Sequence, residues 1–306
     1  MEITLEHIYI LAGIVSLVVS YLTLTDREHP HPIGTGLFWG IFGITFLFGT
    51  HIPSLINGLL VLIMVIIALM GKVSMGGGYS RVSKEFKEEK SLELKNKLFI
   101  PPLLIPIVTF SIAQFTNYDA LIGLGISSVV AVIAGFILTG EKPVAVGHES
   151  RRLFDSISTF AVLPQLLAAL GALFEAAGVG EIIADLIAGV LPMDVKLWAV
   201  VAYALGMAIF TIIIGNAFAA FAVLTTGIGI PFVIEMHGAN PAIVGVIAMI
   251  AGYCGTLLTP MAANFNIVPA ALLEMKNENG VITLAQWKVA IPLFAINVIL
   301  MYVLGF

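Results

Sequence analysis

Two consecutive apolar stretches towards the carboxyl end constrain this chain more than any other feature. The first runs from Leu197 to Ile234 and the second from Met236 to Leu273, and neither contains Asp, Glu, Lys or Arg over its 38 residues. As a straight helix, such a stretch would be about 57 Å long. Since the hydrocarbon core of a bilayer is only about 30 Å thick, each stretch must break or fold back.

The composition assigns the remainder of the chain to the same apolar environment. Of its 306 residues 59% are hydrophobic and 11% are charged, whereas soluble domains carry about 25% charged residues. We therefore predict an all-α, polytopic membrane protein with about nine or ten membrane helices, including a helical hairpin and a discontinuous helix. The predicted spans are residues 4–23, 33–49, 54–71, 98–115, 120–139, 154–177, 197–214, 217–234, 241–275 and 285–305.

These spans divide into two regions. We expect a five-span helical bundle over residues 1–140 and a transport-like core over residues 141–306. The core is expected to contain a hairpin over 197–234, a broken helix over 241–275 and a final helix over 285–305. Only short loops connect most spans, so no separate soluble domain is predicted.

Basic residues indicate the orientation of the chain, because cytoplasmic loops are enriched in Lys and Arg. If the N-terminus and the C-terminus both lie outside, every one of the 14 basic residues except Lys196 falls on the cytoplasmic side. The segment 72–97 alternates Lys and Glu at helical spacing, which is typical of a solvated surface helix.

The first apolar stretch has its break point at Gly215-Asn216. Glycine permits backbone conformations that a helix forbids, and Asn is a good N-cap for an arm that starts at Ala217. We therefore predict a hairpin of two helices whose tip lies in or near the membrane.

The second stretch divides within Gly255–Asn266. Pro260 cannot donate to a preceding helical turn and disfavours helix at Thr259. Thr259 is then expected to be an N-cap with Pro260 at the first helical position. We predict a discontinuous helix over about 241–255 and 261–275.

Two uncharged breaks in over-long spans point to a solute site, because irregular backbone at membrane depth is tolerated only inside protein or beside a water-filled cavity. A half-helix N-terminus suits a carboxylate, and unwound carbonyls with Thr and Asn oxygens suit Na⁺. No other metal and no cofactor is expected. The candidate substrate- or ion-binding residues are Gly215, Asn216, Thr225, Gly255, Thr256, Thr259, Pro260, Asn264 and Asn266.

The order of hairpin, broken helix and final helix resembles the C-terminal repeat of the ion transporter superfamily of carboxylate permeases. The motif Gly255-Thr256-Leu257-Leu258-Thr259-Pro260 is similar to the Thr-Pro loop of that group, and this resemblance covers about residues 154–306. Nearly the whole chain resembles a bacterial membrane family described as a subunit of a 5-oxoproline (pyroglutamate) transporter. That resemblance implies a cytoplasmic-membrane location and a second, smaller membrane subunit.

The chain departs from the superfamily pattern in its first half. Full permeases carry two inverted repeats, each with a hairpin and a broken helix, whereas residues 1–140 contain no comparable polar break. The missing half is expected to come either from a partner subunit, as the resemblance implies, or from a second copy of this chain.

Two functions fit these sequence features. One is a transporter subunit for a small organic anion, coupled to Na⁺ or H⁺, and the other is a non-transporting scaffold that stabilises a partner permease. Enzymatic activity is not expected, since the sequence has no H-E-x-x-H, G-x-S-x-G or P-loop motif and no carboxylate pair inside its spans. The net charge of −5 argues against nucleic acid as a partner.

Two smaller polar features also leave alternatives. Arg151, Arg152 and Asp155 are expected to form an interfacial anchor with an i,i+3 or i,i+4 pair. The alternative is that Asp155, Ser158 and Gln165 line a path for a cation or the substrate. His29 and His31 could bind a metal, but their flanking prolines favour a stiff turn.

Overall fold

The computed structural model describes residues 3–76, 83–141, 143–272, 275 and 286–306, and over these residues it is helical with no β-strand. This confirms the predicted all-α fold. The helix pair Val144–Ile157 and Phe160–Ala176 is long and apolar enough for a membrane span only when the two helices are taken together. Three shorter apolar helices cover Pro32–Phe48, Ser54–Leu69 and Pro241–Leu257. Within the described residues, six helices are long and apolar enough to cross a membrane singly: Leu5–Leu24, Glu85–Phe115, Ala120–Thr139, Lys196–Ile214, Ala217–Glu235 and Trp287–Leu304.

The chain forms two compact units, Met1–Thr159 and Phe160–Phe306. The helices of the first unit are α1 (Leu5–Leu24), α2 (Pro32–Phe48), α3 (Ser54–Leu69), α4 (Lys84–Leu94), α5 (Ile100–Phe115), α6 (Ala120–Thr139) and α7 (Pro143–Ile157). The helices of the second unit are α8 (Leu163–Ala176), α9 (Val179–Ala188), α10 (Lys196–Ile214), α11 (Ala217–Leu224), α12 (Pro241–Leu257), α13 (Val268–Leu272) and α14 (Trp287–Leu304).

In the first unit, α1 and α2 pack closely because small residues face each other. A Cβ atom on Gly13 would lie 3.0 Å from the carbonyl oxygen of Gly43, and a Cβ atom on Gly43 would lie 3.0 Å from that of Gly13. Ser20 Oγ donates a hydrogen bond to the carbonyl oxygen of Gly36 at 2.7 Å. Small residues that let two backbones approach are a common basis of helix association in membranes.

The helix α7 carries charged side chains into the interior of the first unit. The expected i,i+4 contact between Arg151 and Asp155 is present at 3.6 Å, but their side chains are only 8% and 0% exposed. The predicted pair is thus confirmed, and it lies inside the unit instead of on its surface. Asp26 and Trp39, distant in the sequence, bond to Arg151 and Asp155 and enclose them.

In the second unit, α10 and α11 form the predicted hairpin, and α12 and α14 pack on it. The helix α11 continues without interruption into the wider turns of a π-helix over Thr225–Glu235. Pro231 in this segment has no N–H to donate, which favours a change of pitch. The largest fully buried side chains of this core are Val200, Tyr203, Met207, Val223, Leu224, Ile228, Val233 and Met301.

We predict that Gly13→Ala lowers the stability of the first unit, because the added methyl group would lie 2.6 Å from Leu47 Cγ. Overpacking of this kind costs about 1–3 kcal/mol. Gly58→Ala in α3 is the matched control, since a Cβ atom there meets nothing within 4 Å. Thermal unfolding of the purified full chain in detergent measures both variants, and equal midpoints would contradict the tight crossing of α1 and α2.

Candidate functional site

The first break, between α10 and α11, is formed by Gly215 and Asn216. Gly215 has φ +81°, in the left-handed region that suits glycine, and its N–H donates to the carbonyl oxygen of Thr211 at 2.7 Å. Asn216 Oδ1 accepts from the backbone N–H groups of Phe218 at 2.8 Å and Ala219 at 3.3 Å. The predicted break and the predicted capping role of Asn216 are confirmed.

The second break follows α12, which ends at Leu257, and the chain becomes helical again at Ala263. Asn266 bridges this interval, because its Nδ2 donates to the carbonyl oxygens of Thr256 at 2.7 Å and Thr259 at 2.8 Å. Carbonyls at a helix end lack their intrahelical partners. A single buried amide therefore satisfies two of the groups that the break exposes.

Thr259 does not cap the second arm, so that local prediction is wrong. Its Oγ1 accepts from the N–H of Met261 at 3.3 Å, which makes a local turn. The arm begins later, where the N–H of Asn266 donates to the carbonyl oxygen of Ala262 at 2.9 Å. Pro260 lies exposed in the turn, where its missing N–H has no cost.

The two breaks lie against each other within the second unit. A Cβ atom on Gly215 would lie 2.6 Å from the carbonyl oxygen of Met261, so only glycine fits at this contact. A Cβ atom on Gly252 would lie 3.1 Å from Ala217 Cβ. The hairpin tip is therefore seated on the interruption of the broken helix.

A narrow cavity adjoins this contact. The space between the lining atoms is about 290 Å³, and this volume includes space that is open to the exterior. In this conformation, the part that a molecule could occupy without touching the lining accommodates about one water molecule. None of the residues that line it is charged. The lining residues are Pro164, Leu167, Gly215, Asn216, Ala217, Phe218, Tyr253, Thr256 and Phe265.

Three aromatic rings form one side of the cavity. The ring centroids of Phe218 and Tyr253 are 6.3 Å apart, and those of Tyr253 and Phe265 are 5.2 Å apart. The Tyr253 hydroxyl adds a polar group to this apolar wall. The cavity thus combines aromatic surface with a few polar groups, as small-molecule sites do.

The polar groups at the cavity favour an anion. Among the described residues, the protein offers no acceptor to the Asn216 Nδ2 group or to the backbone N–H of Ala217. Both groups lie at the N-terminus of α11, where the helix dipole places partial positive charge. The carbonyls of Thr256 and Thr259, which the sequence offers as Na⁺ ligands, already accept from Asn266.

The structure places some of the predicted site residues at the cavity and others away from it. Gly215, Asn216 and Thr256 line the cavity, and Thr259 and Asn266 form the break beside it. Thr225 and Gly255 lie away from the cavity: Thr225 Oγ1 bonds to Tyr203 OH at 2.7 Å, and Gly255 packs against the Ala208 carbonyl. Pro260 is exposed, and the Asn264 side chain is outside the described part of the structure.

Sequence reasoning missed the aromatic wall and the contribution of α8. Tyr253 precedes Thr256 by three residues, a spacing that places both on one helix face, so this signal was available. Pro164 and Leu167 of α8 carry no comparable signal, because their position depends on how α8 crosses α11. At that crossing a Cβ atom on Gly171 would lie 2.8 Å from Ala219 Cα.

A family model described as "Protein of unknown function (DUF979)" matches residues 6–306 of the chain. No curated protein and no solved structure gives a significant match. Within the described residues, no group of three or more His, Cys, Asp or Glu side chains is arranged as metal ligands would be. The geometry of the two breaks is therefore the main basis for a functional conclusion.

We predict that Gly215→Ala destabilises the second unit more than Gly238→Ala. Both glycines have positive φ, +81° and +71°, so an alanine at either position costs about 1–2 kcal/mol. Only at Gly215 does the new methyl group also meet a carbonyl oxygen, whereas Gly238 has nothing within 4 Å. Thermal unfolding midpoints compare the two variants, and equal losses would show that the breaks do not touch.

We predict that Asn266→Leu loosens the second break, because it leaves the carbonyls of Thr256 and Thr259 without their shared donor. The carbonyls of Thr256 and Thr259 then keep only long contacts, at 3.5 Å, with the N–H groups of Thr259 and Ala262, and the loss of each hydrogen bond costs about 0.5–1.5 kcal/mol. Asn297→Leu is the control, since Asn297 is also buried but, among the described residues, its side chain hydrogen-bonds only to Cys254 Sγ, at 3.5 Å. Hydrogen exchange over residues 256–267 should rise clearly in the first variant and stay near the parent value in the second. Unchanged exchange in Asn266→Leu would show that the amide does not hold the break.

Proposed function

We propose that this chain, which belongs to the DUF979 family, is a subunit of a secondary transporter that binds a small organic anion at the cavity between its two breaks. The observation that carries the proposal is the contact of Gly215-Asn216 with the 258–262 interruption beside an uncharged cavity that has a few polar groups in a mainly apolar lining. Paired breaks of this kind are where transporters bind solute.

The chemistry of the cavity supports a small anion with an apolar body. The N-terminus of α11 and the Asn216 amide can donate to a carboxylate, and the rings of Phe218, Tyr253 and Phe265 can cover a small ring. In this conformation the cavity is smaller than a ligand site, so it would have to widen to hold such an anion. 5-Oxoproline, a cyclic amide with one carboxylate, is the solute that the family resemblance implies, and it has this combination.

The narrowness of the cavity fits a protein that changes conformation. Because its clear space holds about one water molecule here, a solute would enter when the hairpin tip moves away from the second break. We propose that a Na⁺ or H⁺ gradient drives this cycle. We also propose that a second, smaller membrane subunit, or a second copy of this chain, supplies the other half of the solute path.

We predict that Asn216→Asp abolishes anion uptake while the protein still folds. Aspartate is as good an N-cap as asparagine, so α11 keeps its start, but a carboxylate replaces the donor and repels an anion. Asn240→Asp is the matched control, because Asn240 caps α12 through the same i+2 and i+3 contacts and does not line the cavity. A loss of about 1.4 kcal/mol in binding already lowers affinity tenfold.

The assay is uptake of labelled 5-oxoproline by vesicles that contain this chain with and without its partner, across Na⁺ and pH gradients. The proposal expects uptake at least about tenfold lower in Asn216→Asp than in Asn240→Asp. Full uptake in both variants, with partner association intact, would overturn the proposal and favour a scaffold role.

A further inference from the structure

Several elements of the first unit meet around one buried carboxylate, that of Asp155. The side chain is fully buried, and its Oδ1 accepts from Trp39 Nε1 at 3.1 Å. Trp39 is itself 1% exposed, and its ring lies 4.8 Å from that of Phe154. A carboxylate in such apolar surroundings must be stabilised by the groups that face it.

Two nitrogen atoms face the other oxygen of this carboxylate. Asp155 Oδ2 lies 3.6 Å from Arg151 Nε and 3.7 Å from His29 Nε2. Arg151 also bonds to Asp26 Oδ2 through its NH2 group, at 2.5 Å. The guanidinium is thus shared between two carboxylates, and His29 is the third partner of the cluster.

The hydrogen bonds of His29 define its protonation state. Its Nδ1 accepts from the backbone N–H of His31 at 3.1 Å, so Nδ1 carries no proton and the neutral ring has its hydrogen on Nε2. Within the described residues, that Nε2 makes no hydrogen bond, although it points towards Asp155. An imidazole held in this way can still take up one proton, at Nδ1.

The charged groups that face His29 among the described residues are few. They are Arg151 and Asp155 on α7 and Asp26 in its own loop, while α2 contributes the uncharged Trp39 and the segment 72–76 contributes the backbone of Ser74. Burial lowers the pKa of His29, Arg151 lowers it further, and Asp155 raises it. The Arg151 hydrogen bond holds the pKa of Asp26 below its ordinary value.

We propose that His29 and Asp155 form a proton-binding site whose occupancy sets the conformation of the loop that joins α1 to α2. Proton uptake at Nδ1 converts the neutral imidazole into an imidazolium that pairs with the Asp155 carboxylate. The same proton places an N–H at Nδ1 directly against the N–H of His31, so that hydrogen bond is lost. The loop of residues 25–31 must then rearrange.

This inference goes beyond the proposed transport function and does not depend on it. The direction of the pH effect follows from the burial of His29. Between its lowered pKa and the ordinary value of about 6.5, the unfolded chain binds more protons than the folded one. The contribution of His29 to stability is therefore complete above about pH 6.5 and is lost as the pH falls through the lowered pKa.

Trp39 reports the site directly, since its indole N–H bonds to Asp155. The chain has three tryptophans, and the other two, Trp198 and Trp287, are 43% and 44% exposed, so Trp198→Phe and Trp287→Phe leave Trp39 as the only tryptophan. Fluorescence of this variant in detergent is titrated from pH 8 to about pH 4. We expect one step with a midpoint below about 6.5.

Three further substitutions, each made in the variant whose only tryptophan is Trp39, test whether His29 and Asp155 cause the fluorescence step. His29→Gln should abolish the step, and His51→Gln, at an exposed histidine of the same unit, should leave it unchanged. Asp155→Asn should lower the midpoint by about one pH unit or more, because it removes the opposite charge. A step that survives in His29→Gln, or an unshifted midpoint in Asp155→Asn, would overturn the proposal.

A second measurement covers the case in which His29→Gln does not fold. Imidazole nitrogen resonances of the unaltered full chain, labelled at its six histidines, should show one ring that is held as the Nε2–H tautomer and titrates below about pH 6.5. Spectra in which no Nε2–H ring titrates below about pH 6.5 would exclude the site.

Discussion

Hydrogen bonding of interrupted backbone in an apolar environment is the constraint on which the second unit depends. Where a helix stops at membrane depth, unpaired N–H and C=O groups each cost several kcal/mol. Asn216 satisfies two N–H groups at the start of α11, and Asn266 satisfies two carbonyls at the end of α12. Each break is stable because one amide side chain replaces part of the missing helical turn.

The two units handle polarity in different ways. The second unit places no charged side chain at its cavity, so backbone dipoles and amides are the means by which it could hold an anion. The first unit instead buries Asp155 with Arg151, His29 and Asp26, and closes this cluster with Trp39. Buried charges of this kind persist only when their partners are fixed by surrounding packing.

The sequence was a good guide where the physical signal is local. The break at Gly215-Asn216 was predictable because glycine conformation and asparagine capping depend on neighbouring residues. The predicted cap at Thr259 failed because Asn266, further along the chain, bonds back to the break. The burial of Asp155 was not predictable, since its partner Trp39 is 116 residues away and only the packing of α7 brings them together.

The most direct test of the two-break site is whether water and anions reach it. In a Cys254→Ser background, Met261→Cys places a thiol at the exposed turn beside Gly215, and Val246→Cys places one on the exposed apolar face of α12. The account predicts that a water-soluble maleimide labels the first variant but not the second, and that 5-oxoproline slows this labelling. Labelling of Met261→Cys by lipid-soluble reagents alone, or at a rate that no small anion changes, would contradict it.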